Sequence, residues 1–141
     1  MLSVDAGNPS GDTVYGPTDT IILTFSEAIR SPPALNMSMI EQVFGCNQNL
    51  GSSFSGAWIN SEQFRITINN ATGHTVQLNL LQFNISATAS PLTASATSSF
   101  AASGLTPFLS GAFAATPVVI SVVAFRRTIA LVFDVPVNKG L

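Results

Sequence analysis

The chain carries a single histidine, His74, a single cysteine, Cys46, and seven Asp+Glu among 141 residues. Little catalytic chemistry can be assembled from that set. A triad would have to run through His74, which needs a nucleophile in reach and an acid to orient it. His74 follows Gly73 ahead of a strand, and neither a Gly-x-Ser-x-Gly elbow nor paired carboxylates point to it. It reads as a surface-loop residue. Structural zinc takes about four Cys or His ligands, so no such site can form. Cys46, in Val43-Phe-Gly-Cys46, can make no intramolecular disulfide. It reads as a small buried hydrophobe, with an intermolecular disulfide as the alternative. Asp5, Asp12, Asp19 and Glu27 gather around the first loops. Calcium wants about six to eight oxygens, but the spacing is not that of an EF-hand. Plain turn and solvent positions are the simpler assignment. The expectation is no catalytic residue, no metal and no cofactor other than covalent glycans.

Modification is the chemistry the sequence does encode. Asn36-Met-Ser38, Asn70-Ala-Thr72 and Asn84-Ile-Ser86 satisfy Asn-x-Ser/Thr, whereas Asn8-Pro-Ser10 fails on its proline. Asn36 alternates with Leu35 and Met37, Asn84 alternates with Phe83 and Ile85, and Asn70 lies just past a strand ending at Ile68. All three are expected to project outward. Charged residues make up 9% of the chain, against about 25% in ordinary soluble proteins. Glycans, being bulky and solubilising, would compensate. Five Lys+Arg and a net charge of -2 leave no electrostatic footprint for nucleic acid. They leave no polybasic patch for an anionic membrane either. The most apolar stretch, 117–133, is split by Arg126 and Arg127 below a spanning length, so no membrane insertion is expected. Nor does the opening have the pattern of a signal peptide.

The elements that must position these residues read as strands. Ile21, Leu23 and Phe25 share one face of Thr20–Phe25, and Phe64, Ile66 and Ile68 share one face of Phe64–Ile68. Leu35, Met37 and Met39 alternate in the same way. Val76, Leu78 and Leu80 alternate, then Leu81, Phe83 and Ile85 do, and that change of parity predicts a bulge. Residues 87–115 read as an irregular excursion holding one short strand. Residues 118–137 read as two strands around Arg126 and Arg127. No segment shows a helical period. Many short strands at this spacing argue for an all-β antiparallel sandwich.

The two ends of the chain match each other. Leu2-Ser-Val-Asp-Ala6 resembles Ile120-Ser-Val-Val-Ala124, at an offset of 118 residues. Thr20-Ile-Ile-Leu-Thr-Phe25 resembles Thr128-Ile-Ala-Leu-Val-Phe133, at an offset of 108. The predicted division is a sandwich over residues 1–116 and a C-terminal strand extension over 117–141 that repeats its opening strands. Such a tail is too short to fold alone and too apolar to remain an open edge. Either it completes its own sandwich or it inserts into a neighbouring copy.

The run Gly11-Asp-Thr-Val-Tyr-Gly-Pro-Thr-Asp-Thr-Ile-Ile-Leu-Thr-Phe-Ser-Glu-Ala-Ile29 resembles the strand–loop–strand opening of Ig-like repeats in algal and microbial extracellular proteins. Leu109-Ser-Gly-Ala-Phe113 followed by Pro117 is similar to a junction between such repeats, and Gly56-Ala-Trp58 fits the middle. Ala28 departs from the proline more usual there. The resemblance implies an Ig-like fold and a structural role in mastigoneme-type hairs, adhesins or glycosylated surface fibrils, without catalytic residues. The resulting expectation is an extracellular, glycosylated subunit that binds copies of itself. Glycans are expected on Asn36, Asn70 and Asn84, and assembly contacts through Val119, Ile120, Val122, Arg126, Arg127, Ile129, Leu131 and Phe133. Arg126 and Arg127 are either a solubilising turn or partners for Glu27, Glu41 or Glu62 of a neighbour. An adhesin or carbohydrate-binding repeat, with Tyr15 and Trp58 as a sugar platform, is the alternative function.

Overall fold

The structure, a computed structural model, describes residues 3–30, 34–86, 92, 104–114, 119–125 and 128–133. Within these lie β1 (Ser3–Gly7), β2 (Thr20–Thr24), α1 (Met37–Val43), β3 (Phe44–Cys46), β4 (Ser53–Asn60), β5 (Gln63–Asn70), β6 (Phe83–Ile85), β7 (Gly104–Leu105), β8 (Ser110–Gly111), β9 (Val119–Phe125) and β10 (Thr128–Phe133). The fold is all-β with one short helix.

Five strands form a sheet in the order β4-β5-β2-β1-β8, antiparallel except for the short parallel pair of β1 with β8. Three form an antiparallel sheet in the order β3-β6-β7, and β9 and β10 form a separate two-stranded sheet. The period-2 pattern explains the core. Ile21, Leu23 and Phe25, and Phe64, Ile66 and Ile68, are all buried. Phe44, Phe83 and Ile85 of the second sheet join the same cluster. The Phe44 ring lies 5.3 Å from that of Phe64, which ties the two sheets together. Gly56 on β4 makes room for this packing. A Cβ there would come within 2.4 Å of the Phe64 ring and 2.7 Å of Ile40 Cδ1.

Three expectations are corrected. Leu35, Met37 and Met39 do not alternate on a strand, because residues 37–43 are helical. Asn36 is the N-cap, its side chain accepting from the Met39 N–H at 2.9 Å. Leu35 and Ile40 occupy the positions of a hydrophobic staple and both are buried. Seven residues are too few for a helical period to stand out against a chance alternation. Second, the parity break near Leu80 comes from a turn rather than a bulge. Asn79 adopts φ 62°, and the Leu80 and Leu81 N–H groups both donate to the Gln77 carbonyl. Leu80 is therefore exposed while Leu81 is buried. Third, the excursion after Ile85 holds two short strands, β7 and β8, among its described residues. Gly111 in β8 adopts φ 85°, and a Cβ there would meet the Ala6 carbonyl oxygen at 2.4 Å.

Candidate functional site

The β9–β10 ladder pairs Phe125 with Thr128, Ala124 with Ile129, Val123 with Ala130, Val122 with Leu131 and Ser121 with Val132. The β1–β2 ladder pairs Gly7 with Thr20, Ala6 with Ile21, Asp5 with Ile22, Val4 with Leu23 and Ser3 with Thr24. At the offsets read from the sequence, the two ladders coincide pair for pair. Val4, Ala6, Ile21 and Leu23, which pack into or against the core, have the same residue types as their counterparts Val122, Ala124, Ile129 and Leu131. The other row keeps Ser121 and Thr128 where β1–β2 has Ser3 and Thr20, but Val123, Phe125, Ala130 and Val132 stand where it has Asp5, Gly7, Ile22 and Thr24.

The surroundings of Val4 and its counterpart Val122 are opposite. Val4 is 1% exposed and Val122 is 62% exposed. Val123 and Val132 are exposed as well. Val122 and Val123 are successive residues of one strand and so lie on opposite faces, which leaves both faces open there. Ser121 and Ala130 are exposed too, so all five residues of β9 and β10 whose burial is described face solvent. Of the expected assembly residues, Val119, Ile120 and Val122 lie in β9, and Ile129, Leu131 and Phe133 lie in β10. Arg126 and Arg127 lie outside the described residues.

All three sequon asparagines are exposed. Asn36 caps α1 through its side-chain carbonyl, leaving the amide nitrogen that would carry a glycan out of that bond. Asn70 ends β5 in an Asx-turn, its Oδ1 accepting from the Thr72 N–H at 2.9 Å and from the Thr72 hydroxyl. Asn84 stands on β6 between buried Phe83 and Ile85, opposite exposed Leu105.

The residues with catalytic potential do not converge. Among the described residues, no three His, Cys, Asp or Glu side chains come together as a metal site would require. Asp19 is not the solvent position expected of it; it is fully buried. Its Oδ2 accepts from the Gly16 N–H at 2.8 Å, while Oδ1 has no hydrogen-bond partner among the described residues. Burial raises the Asp19 carboxyl above the ordinary carboxylate range, the Gly16 bond lowers it in part, and the Asp12 charge adds to the rise. The carboxyl pins a tight turn. Thr18 within it adopts φ 77° and donates to the Ile68 carbonyl at 2.8 Å. Burial, with Asp19 and Cys46 nearby, also raises the Tyr15 phenol. Burial raises the half-buried Cys46 thiol, against a backbone bond from Gln48 that lowers it. His74 is half-buried beside Tyr15 and Asn70 in a recess of about 320 Å³.

A larger cleft of about 500 Å³ is lined by Cys46, Asn47, Gln48, Asn49 and neighbours. Its amides are already engaged. Asn47 bonds to the Gln82 N–H and the Leu80 carbonyl, Gln48 bonds to the Gln77 N–H, and Asn49 bonds to the Gly51 N–H. Tyr15 packs edge-on against Phe113 and donates to the Leu50 carbonyl, while Trp58 packs against Phe25 and Phe64. The two rings are thus occupied in packing rather than forming a shared platform. No helix among the described residues is long and apolar enough to cross a membrane. No protein-family model, curated protein or solved structure matches the chain.

Proposed function

We propose that this chain is a non-enzymatic structural subunit: an Ig-like β-sandwich of an extracellular, N-glycosylated fibril that polymerises head-to-tail through its C-terminal strands. Strand order supports the Ig-like reading. A constant-type Ig domain sets strands A, B, E and D in one sheet and C, F and G in the other. Taking β1 to β7 as A to G, the order β4-β5-β2-β1 is D-E-B-A and β3-β6-β7 is C-F-G. The exposed asparagines Asn36, Asn70 and Asn84 support glycosylation, and the scarcity of charge gives glycans a solubilising role.

The observation that carries the assembly reading is the hairpin. β9–β10 repeats β1–β2 in register and in its core-facing residue types, yet stands with Val122, Val123 and Val132 in solvent. A spare strand pair with uncovered apolar surface is suited to strand addition on a neighbour. A donor and an acceptor at different places on one chain make a heterologous contact, which propagates rather than closes. The test is electron microscopy and native sizing of the full chain beside one lacking residues 117–141. Filaments from the first and only monomer from the second are expected. Unchanged filaments from the shortened chain would end this reading.

A further inference from the structure

We infer that the acceptor for β10 is the outer edge of β4 on a second copy of this chain. The inference rests on the assembly reading above and names the surface that reading leaves open.

The free edge of β10, away from β9, corresponds to the edge by which β2 pairs antiparallel with β5. On a second copy that place is filled, because β5 lies between β4 and β2. The next antiparallel seat on the same sheet is β4. No described strand pairs with its outer edge.

β4 is also the longest edge strand of the two larger sheets among the described residues. It has eight residues, against two in β8, three in β3 and two in β7. Natural sheets protect edges of that length with charge, proline, bulges or a covering segment. Ser53-Phe-Ser-Gly-Ala-Trp-Ile-Asn60 contains no charged residue and no proline. Its register shifts lie near its two ends, between Ser53 and Phe54 and between Trp58 and Asn60, leaving Phe54–Trp58 regular. Ser55, Ala57 and Ile59 are exposed. The six residues of β10 fit this length, and β10 is likewise uncharged.

Connectivity fixes the direction. β4 runs into a turn containing Glu62, which is exposed. β10 follows directly from Arg126 and Arg127. Antiparallel addition of β10 to β4 brings the start of β10, which the two basic residues precede in the sequence, to the end of β4 that leads into Glu62. Parallel addition separates them. The added hairpin would extend the five-stranded sheet with no strand of the acceptor displaced.

The experiment uses the 141-residue chain in three forms: unaltered, with Ala57→Lys and Ile59→Lys together, and with Leu131→Pro. The first variant charges the β4 edge at two exposed positions. The second removes a backbone donor from the free edge of β10, since Leu131 corresponds to Leu23, whose N–H faces β5 in the β2–β5 ladder. Each variant alone is expected to sediment as monomer while the unaltered chain polymerises. Mixed in equal amounts they should give a 1:1 dimer that grows no further, since one retains only the donor and the other only the acceptor. Amide hydrogen exchange of the unaltered polymer gives a second readout, with protection gained relative to monomer at Phe54 and Gly56, whose register with β5 turns their N–H groups to the outer edge. A β4 variant that polymerises normally, or β4 amides that gain no protection, overturns the inference. If Leu131→Pro still abolishes assembly in that case, the hairpin reading stands and the acceptor lies elsewhere, as when β9–β10 takes the place of β1–β2. If both variants polymerise, or the unaltered chain stays monomeric, both readings fall.

Discussion

Val4 and Val122 occupy the same position in two hairpins of identical register, and one is buried while the other is 62% exposed. The same residue type in the same ladder therefore has two energetic roles within one chain. Val4→Ala removes methyl groups from a packed core and should lower stability by about 2 kcal/mol. Val122→Ala removes them from a solvated surface and should change monomer stability by less than about 0.5 kcal/mol. Urea unfolding of the two variants at a concentration where the chain is monomeric measures the contrast. Equal losses would mean that the hairpin is packed on its own module.

Asp19 predicts a pH dependence. Its folded carboxyl titrates above its unfolded value, chiefly through burial. The protonated form is therefore favoured by folding. That contribution is fully present below the unfolded carboxyl value of about 3.9 and is lost as pH rises through the higher folded value. Asp19→Asn keeps an oxygen to accept from Gly16 and removes the titration. The difference in unfolding free energy between Asp19→Asn and the natural chain should shift in favour of the variant as pH rises through this window. Denaturant titrations from roughly pH 3 to pH 8 measure it. A constant difference would show that Asp19 titrates alike in the folded and unfolded chain.

Asn36 combines a cap and a sequon, and the two can be separated. Asn36→Ala should cost about 1 kcal/mol by removing the bond to the Met39 N–H. Ser38→Ala breaks the sequon and leaves that bond in place. In material from the native source, both changes should lower the intact mass by one glycan, while thermal unfolding of unglycosylated protein should respond to Asn36→Ala alone. With Asn70 and Asn84 intact, the native mass should still exceed that of the polypeptide. Native protein unmodified at all three sites would remove glycosylation from the account.

The sequence by itself determined the strands whose alternation is strong. Residues Thr20–Phe25 and Phe64–Ile68 place every second side chain in the core, because a strand has period 2 and one face of each must leave water. It also determined the repeat, since Val4, Ala6, Ile21 and Leu23 return as Val122, Ala124, Ile129 and Leu131. It placed Asn84 correctly between two buried residues. Tertiary structure decided the rest. The seven residues of α1 carry too little periodicity to be separated from an alternating strand, and Asn36 with the Leu35–Ile40 pair settles the helix through capping and burial. The edge strand β4 has a weak pattern because Phe54 is its one fully buried side chain, with Gly56 and half-buried Trp58 at the other core-side positions, and its pairing with β5 defines it. Asp19 looked like a solvent-facing turn residue; the chain's closure onto Ile68 buries it. The different environments of Val4 and Val122 are invisible in their matching strands, because burial depends on which surfaces the rest of the fold brings to each hairpin.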